Sequence, residues 1–167
     1  MDLVTILSHL LQRELNTFAK EIELFPDDET VWTAAPGVLN PAGNLAQHVC
    51  GNLHHFVGAV LGKTGYVRDR DAEFAGRGRS RSAVAQNLRE TAAMIEGVFG
   101  GRSQADFPDE YPLEYGGMRL PTQVFLVNLE AHLAFHLGQA GYLRRILTGD
   151  TTGSGAIGLA DLKPLAL

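Results

Sequence analysis

Apolar residues recur at steps of three and four in four stretches of the chain, the spacing that places them on one face of an α-helix. The predicted helices cover residues 2–24, 41–61, 80–99 (with 82 as an alternative start) and 121–147. Almost no stretch shows the two-residue alternation that is typical of a strand. Four amphipathic helices without strands predict an all-α fold, a four-helix bundle with two long connecting loops.

The two long loops cover residues 62–79 and 100–120. Loops of this length inside a compact domain are more often functional than idle. The second loop contains Gly116-Gly117 between two short runs that bear apolar residues. Such a glycine pair predicts a small hairpin.

The chain has 167 residues, of which 45% are hydrophobic and 20% are charged, and its net charge is −5. This is the composition of an ordinary globular protein. Its acidic balance argues against a general nucleic-acid binder, which needs a cationic face for the phosphates. The length favours one domain. We expect the bundle to occupy residues 1–149 and the tail, residues 150–167, to pack on it or to be partly disordered.

The single cysteine, Cys50, excludes an intramolecular disulfide, and we expect a buried and unreactive thiol there. The N-terminal residues do not resemble a signal peptide. No apolar run approaches the ~18 residues that a membrane span requires. The expected location is therefore the cytoplasm, with neither a membrane nor a nucleic acid as partner.

The last predicted helix carries two histidines, His132 and His136, within its apolar face. A four-residue step places the two imidazoles one turn apart on the same side of the helix. The same face carries Phe125, Leu129 and Leu143, so the histidines stand where a bundle would have aliphatic residues. A buried polar group is costly without a partner, and one metal ion would be a partner for both rings.

A third ligand would come from the second predicted helix, which offers His48, His54 and His55. The spacing alone does not choose among them. His48, Asn52 and His55 share one face, and we expect Asn52 and His55 to line a pocket or to support a ligand. His54, like His9, is expected at the surface.

Two further polar residues and one basic stretch each allow two interpretations, only one of which places them at this site. Gln139 falls on the side of His136, where it would orient a ligand or fill a packing gap. Glu14 interrupts the apolar face of the first helix, and it is either a partner for a ligand imidazole or a solvated edge residue. The stretch 63–81 holds six basic side chains against three acidic ones. A solvated loop with weak internal ion pairs is favoured there over a clamp for an anionic substrate.

Two motifs resemble those of the DinB-like four-helix proteins. The sequence NLAQHV at residues 44–49 is similar to the first ligand motif of that family, and EAHLAFHLGQ at residues 130–139 is similar to its paired-ligand helix. The stretches 62–66 and 68–74 also resemble the connection between the second and third helices in one branch. The likeness covers most of residues 1–149.

The resemblance implies an up-up-down-down bundle and a divalent metal held by three histidines, which in this sequence are His48, His132 and His136. Zinc fits that ligand set, and nickel or iron are alternatives. Characterised relatives are bacillithiol- or mycothiol-dependent thiol transferases and mycothiol-dependent isomerases, so a low-molecular-weight thiol is the expected co-substrate. Relatives often form dimers. We therefore expect a homodimer, with Val4 and Leu15, which lie off the main apolar face, available for contacts.

Three functions stay open at this point. The first is a metal-dependent thiol S-transferase. The second is a metal-dependent hydrolase at the same site, with Glu14 or His55 as the base. The third is a non-catalytic metal- or ligand-binding bundle of a stress response, which would be favoured if a fourth protein ligand closed the site.

Overall fold

The computed structural model describes residues 1–155 and 158–166, and within these ranges the regular elements are helical, without a β-strand. The helices are α1 (Leu3–Glu23), α2 (Ala42–Leu53), α3 (Arg70–Ala75), α4 (Arg81–Phe99) and α5 (Thr122–Thr148). The four predicted helices correspond to α1, α2, α4 and α5, where α2 is counted together with the helical segment His54–Leu61 that continues it. All four begin and end within two residues of the predicted boundaries. The all-α class is confirmed.

The helix ends follow from local chemistry. The side chain of Asp2 accepts a hydrogen bond from the Thr5 amide at the start of α1, and Ser80 accepts one from the Ala83 amide at the start of α4. Both satisfy amides that have no partner within the helix. Gly149 ends α5 in the left-handed conformation, with φ of 69°.

The second predicted helix changes its winding partway. From His54 to Leu61 the chain continues α2 as a π-helix, and the Gly62 amide donates to the Val57 carbonyl five residues earlier. The Tyr111 hydroxyl donates to the Phe56 carbonyl at 2.7 Å, which fixes the loop before α5 on this segment. π-Helical turns are rare and occur often at functional sites.

The four long helices surround one hydrophobic core. α1 packs on α4 and α5, and α2 packs on the same two helices from the opposite side. None of the described helices combines the length and the apolar character needed to cross a bilayer.

Two predictions about apolar residues were wrong. Val4 and Leu15 lie in the core, so they are not available for dimer contacts. The three-residue step from Leu143 predicts Ile146 on the buried side of α5 as well, but its side chain is exposed. Both errors concern residues next to the edge of an apolar face, where a helical period alone does not decide the orientation.

The first long connection is partly helical, which the sequence did not predict. Asp69 accepts a hydrogen bond from the Ala72 amide and begins α3, a helix of six residues with Asp71 and Glu73 in its first turn. Acidic side chains are favourable at that end of a helix. α3 packs against α2 and is the element that carries Glu73 to the site described below.

The second long connection contains the predicted turn in a reduced form. Gly116 and Gly117 have φ of 60° and 78°, and Tyr115 and Met118 on either side exchange two backbone hydrogen bonds. Two positive φ angles in succession suit glycine and give a tight reversal. The pairing is limited to isolated bridges and does not extend into strands.

The described part of the tail contacts the helices. Arg144 is fully buried, pairs with Glu21 at 2.5 Å and also reaches the Asp150 carboxylate. His9 donates to the Asp161 carbonyl at 2.6 Å, so it is a tail contact and not a free surface residue. Part of the predicted tail, residues 156, 157 and 167, lies outside the described residues.

Candidate metal centre

Three histidine rings converge between α2 and α5. The Nε2 atom of His132 lies 3.2 Å from Nε2 of His48 and 3.1 Å from Nε2 of His136. The candidate ligand atoms of all three lie within 4.8 Å of one another. Two nitrogens bound tetrahedrally to zinc at about 2.0–2.1 Å are roughly 3.3 Å apart, and the separations of His132 from His48 and from His136 match this value. The three residues therefore lie close enough to hold a metal ion.

The ring of His48 is oriented by a carboxylate. Its Nδ1 atom donates to Oε2 of Glu73 at 2.8 Å, which leaves the lone pair on Nε2 directed at the other two rings. Arg68 in turn holds Glu73 through two hydrogen bonds, 2.6 Å from Nε to Oε1 and 2.8 Å from Nη2 to Oε2. A two-point arginine contact fixes the plane of the carboxylate.

The ring of His136 is oriented by an amide. Its Nδ1 atom donates to Oε1 of Gln139 at 2.8 Å, so its Nε2 atom also carries a free lone pair. The two outer histidines are thus held in the same tautomer by different partners, and both present an acceptor nitrogen to the shared point. Of the two uses suggested for Gln139, the orienting one is present.

A glycine makes room for Glu73. A Cβ atom at Gly51, three residues after His48, would lie 2.7 Å from the Glu73 carboxyl carbon, far inside van der Waals contact. The carboxylate therefore occupies the place of a side chain on α2.

Asn44 fixes the position of α3 against α2. This fully buried residue donates through its amide nitrogen to the carbonyls of Glu73, Phe74 and Gly76, at 2.8, 3.1 and 3.0 Å. Asn44 and His48 are four residues apart, so one face of α2 holds both the ligand candidate and the anchor of the element that orients it. The sequence indicates nothing of this role for Asn44 beyond its place in the motif at residues 44–49.

The environment keeps the three imidazoles neutral. Burial, reinforced by the positive charge that His136 and His48 would carry, lowers the pKa of His132 to about 4. Burial also lowers the pKa of His136, and it lowers that of His48 although Glu73 acts in the opposite direction. Neutral imidazole is the form that binds a metal, so the site is ready for an ion at neutral pH.

Glu14 does not have the role suggested for it. It is buried, but its carboxylate accepts a hydrogen bond from Arg13 and lies beside Glu130. Burial, with the repulsion of Glu130, raises the pKa of Glu14 to about 7. The carboxylate partner of a ligand imidazole is Glu73, on an element that the helical periodicity did not reveal.

The remaining histidines of α2 and its π-helical continuation lie apart from the cluster. His54 is half-buried and pairs with the hydroxyl of Thr91 at 3.2 Å, so it is not the surface residue that was expected. Asn52 is buried and its Oδ1 atom has no protein partner, and the same is true of Nδ1 of His55. Cys50 is buried, and burial raises its thiol pKa to about 12, which confirms the inert thiol.

The basic stretch is largely occupied with structural contacts. Arg68 donates hydrogen bonds to the Glu73 carboxylate. Arg77 donates to the carbonyls of Phe74 and Gly76, and Arg81 donates to the Phe25 carbonyl. Arg68 and Arg77 stabilise the connection itself, and Arg81 joins the start of α4 to the loop after α1. Neither of the two readings of the sequence anticipated that Arg68 would support a histidine.

Comparison of the chain with protein-family models, with curated proteins and with solved structures found no match. The chemistry of the site is therefore argued from its own geometry. Within the described ranges no cysteine, aspartate, glutamate or further histidine joins the three rings at the same mutual distance. Three neutral nitrogen donors of this kind could hold a metal ion.

Proposed function

We propose that this chain is a divalent-metal-dependent thiol S-transferase with a DinB-like four-helix architecture, in which His48, His132 and His136 are the metal ligands. The observation that carries the proposal is the convergence of three Nε2 atoms, two of them set as acceptors by Glu73 and Gln139. The motifs at residues 44–49 and 130–139 contain all three ligands and add support. We propose zinc as the ion, because three imidazoles match its preference, with nickel and iron as the alternatives.

A bound divalent ion would supply a positive centre that lowers the pKa of a coordinated thiol. The ligand set suits this task because three neutral rings leave the charge of the ion undiminished. In the proposed reaction a bond forms between the thiol sulfur and an electrophilic carbon, the bond to the leaving group breaks, and the thiol proton passes to solvent. Glu73 and Gln139 hold the imidazoles in place while this occurs.

Thiol transfer is favoured over the hydrolytic alternative. Hydrolysis needs a base beside the metal. Of the two suggested bases, Glu14 hydrogen-bonds Arg13 and lies next to Glu130, and His55 is not part of the group of three histidines. The non-catalytic alternative calls for a fourth protein ligand, and the cluster formed by the described residues contains three. Neither alternative therefore gains support from the geometry.

The test combines metal analysis with a kinetic screen. Purified protein loaded with zinc is expected to hold one ion per chain and to accelerate the reaction of bacillithiol or mycothiol with 1-chloro-2,4-dinitrobenzene. Ala substitution of His48, His132 or His136 is expected to abolish both properties, whereas His54→Ala, half-buried on the same helical stretch but bonded to Thr91, is expected to keep both. Stoichiometric zinc without thiol-dependent turnover would reject the transferase, and unchanged zinc content in the three variants would reject the site.

We also propose a homodimer, formed through an exposed face of α5 in place of the buried α1 residues. Val124, Val127, Ala131 and Phe135 lie on this face at helical spacing and are exposed. None of these four side chains is charged, and charge depletion with an aromatic residue is typical of interfaces. Because each chain carries a net charge of −5, an uncharged face is also where two copies approach with least repulsion.

A further inference from the structure

A cavity of about 420 Å³ adjoins His136. One wall is the loop that carries Val38 and Leu39, and the other is the last part of α5, with Tyr142 and Ile146. Its volume falls within the range of small-molecule sites, about 300–1,000 Å³.

The walls of this cavity expose apolar side chains that a folded chain usually covers. Leu39 is 88% exposed, and Val38, Tyr142 and Ile146 are exposed as well. A turn at Pro36-Gly37, with φ of 79° at Gly37, presents the loop residues toward the solvent side of α5, and the Val38 amide closes it by donating to the Ala35 carbonyl at 3.0 Å. A built turn that presents an apolar wall beside a reactive site favours a binding role for that wall.

The lining of the cavity is mostly apolar, with Asn40 on the loop and His136 and Gln139 on α5 as its polar residues. The Gln139 carbonyl is already used by the His136 ring. The two amide N–H donors of Gln139 are left for a ligand acceptor. No charged side chain is among the residues that line the cavity.

We infer that this cavity binds the electrophilic substrate and that the substrate is an uncharged, largely apolar molecule whose acceptor end lies at Gln139, next to His136. The inference rests on the proposed function, since it assigns the substrate class of the same site. In the zinc-free cavity a charged ligand would lose its hydration without an opposite charge on the lining residues to replace it. Arg68, which could have met an anion, is engaged by Glu73.

The experiment uses the full chain and two probes of equal shape, neutral phenylacetamide and anionic phenylacetate. Binding is followed by NMR through the Ile146 methyl groups and the His136 ring, with and without zinc. Phenylacetamide is expected to shift both sets of resonances saturably, with a dissociation constant roughly in the millimolar range, as suits so small a ligand. Phenylacetate is expected to bind at least tenfold more weakly to the zinc-free protein, where the cavity lining offers no positive charge, and this comparison is the one that tests the inference.

A matched pair of variants locates the binding. Leu39→Ser is expected to weaken phenylacetamide binding several-fold, whereas Leu159→Ser, which alters a side chain of similar exposure (85%) outside the cavity, is expected to leave it unchanged. Equal binding by the two probes, or equal effects of the two variants, would overturn the inference. Zinc content is measured on the same samples. Loss of zinc binding with intact probe binding would reject the proposed function alone, and the reverse would reject the cavity alone.

Discussion

The orientation of the His48 ring depends on a glycine of the same helix, Gly51. The carboxylate that orients its ring, that of Glu73, occupies the space beside Gly51, and a methyl group there would collide with it. We predict that Gly51→Ala lowers zinc affinity about 10- to 100-fold, the usual effect of losing the partner that orients a metal-binding histidine. Isothermal titration with zinc measures it.

Gly97 supplies the control for this substitution. It also lies within a helix, α4, but a Cβ atom built there meets nothing within 4 Å. Gly97→Ala is expected to leave zinc affinity unchanged and to raise the free energy of unfolding by roughly 0.5–1 kcal/mol, because alanine is the better helix former. An equal loss of zinc affinity in both variants would show that the space beside Gly51 has no special role.

The neutral cluster has a consequence for the stability of the metal-free protein. The pKa of His132 falls from 6.5 to about 4 on folding, chiefly through burial. Below pH 6.5 the unfolded chain therefore binds a proton that the folded chain does not, so this contribution to stability is present above pH 6.5 and is lost as the pH falls toward 4. The expected loss is about 1–3 kcal/mol.

Urea unfolding of the metal-free protein at a series of pH values between 7 and 4.5 measures this loss. His132→Gln, which removes the titrating ring, is expected to show a weaker dependence on pH than the parent chain. Parallel curves for the two proteins would contradict the assignment of the acid sensitivity to His132.

At the residue scale the sequence predicted the pair and not its support. His132 and His136 interrupt a long apolar face, and such a break in a strong period is visible without a structure. Glu73 is one acidic residue among several in a polar stretch. Its role as the partner of His48 follows only from the tertiary contact of α3 with α2. The period likewise could not tell His48 from His54 and His55.

At the scale of elements, α3 positions one side chain, that of Glu73, beside His48. It has six residues, too few for the apolar period that reveals the long helices, and its start depends on the cap from Asp69 to the Ala72 amide. The apolar pattern also does not predict the π-helical winding after Leu53, because the apolar residues of that segment fit an α-helical period as well. Length and a continuous face made the other helices predictable.

We predict that Asp69→Ala loosens α3 and lowers zinc affinity several-fold while it changes the global free energy of unfolding little. The reason is that a short, marginal helix frays when its cap is lost, and Glu73 lies within its first turns. Zinc titration and urea unfolding on the same preparation separate the two effects.

Ser80→Ala removes a cap of the same kind from α4 and is the matched control. It is expected to cost about 1 kcal/mol of global stability and to leave zinc affinity unchanged, because α4 contributes no ligand. If both variants changed zinc affinity alike, the effect would be one of general stability and α3 would not be a dedicated support.

At the scale of the whole molecule, the exposed face of α5 decides whether two copies associate. A two-fold axis near Ala131 would place Phe135 of one copy on Val127 of the other, and Ala131 is small enough to let the helices approach there. The apolar period alone does not tell which side of a helix faces the core and which faces a second copy. For this reason the sequence placed the dimer contacts at Val4 and Leu15 of α1 and not on α5. The structure shows them buried and Phe135 62% exposed.

We predict that the chain is a dimer at tens of micromolar and that Phe135→Glu makes it monomeric, as measured by size-exclusion chromatography with light scattering. A carboxylate at this position would lie against Val127 of the other copy and would be desolvated without a partner. Met118→Glu introduces the same charge at another exposed apolar residue, 54% exposed in the loop before α5, and is expected to stay dimeric. A monomeric parent chain, or equal dissociation of both variants, would place the association elsewhere or exclude it, and the apolar face of α5 would then need a different partner.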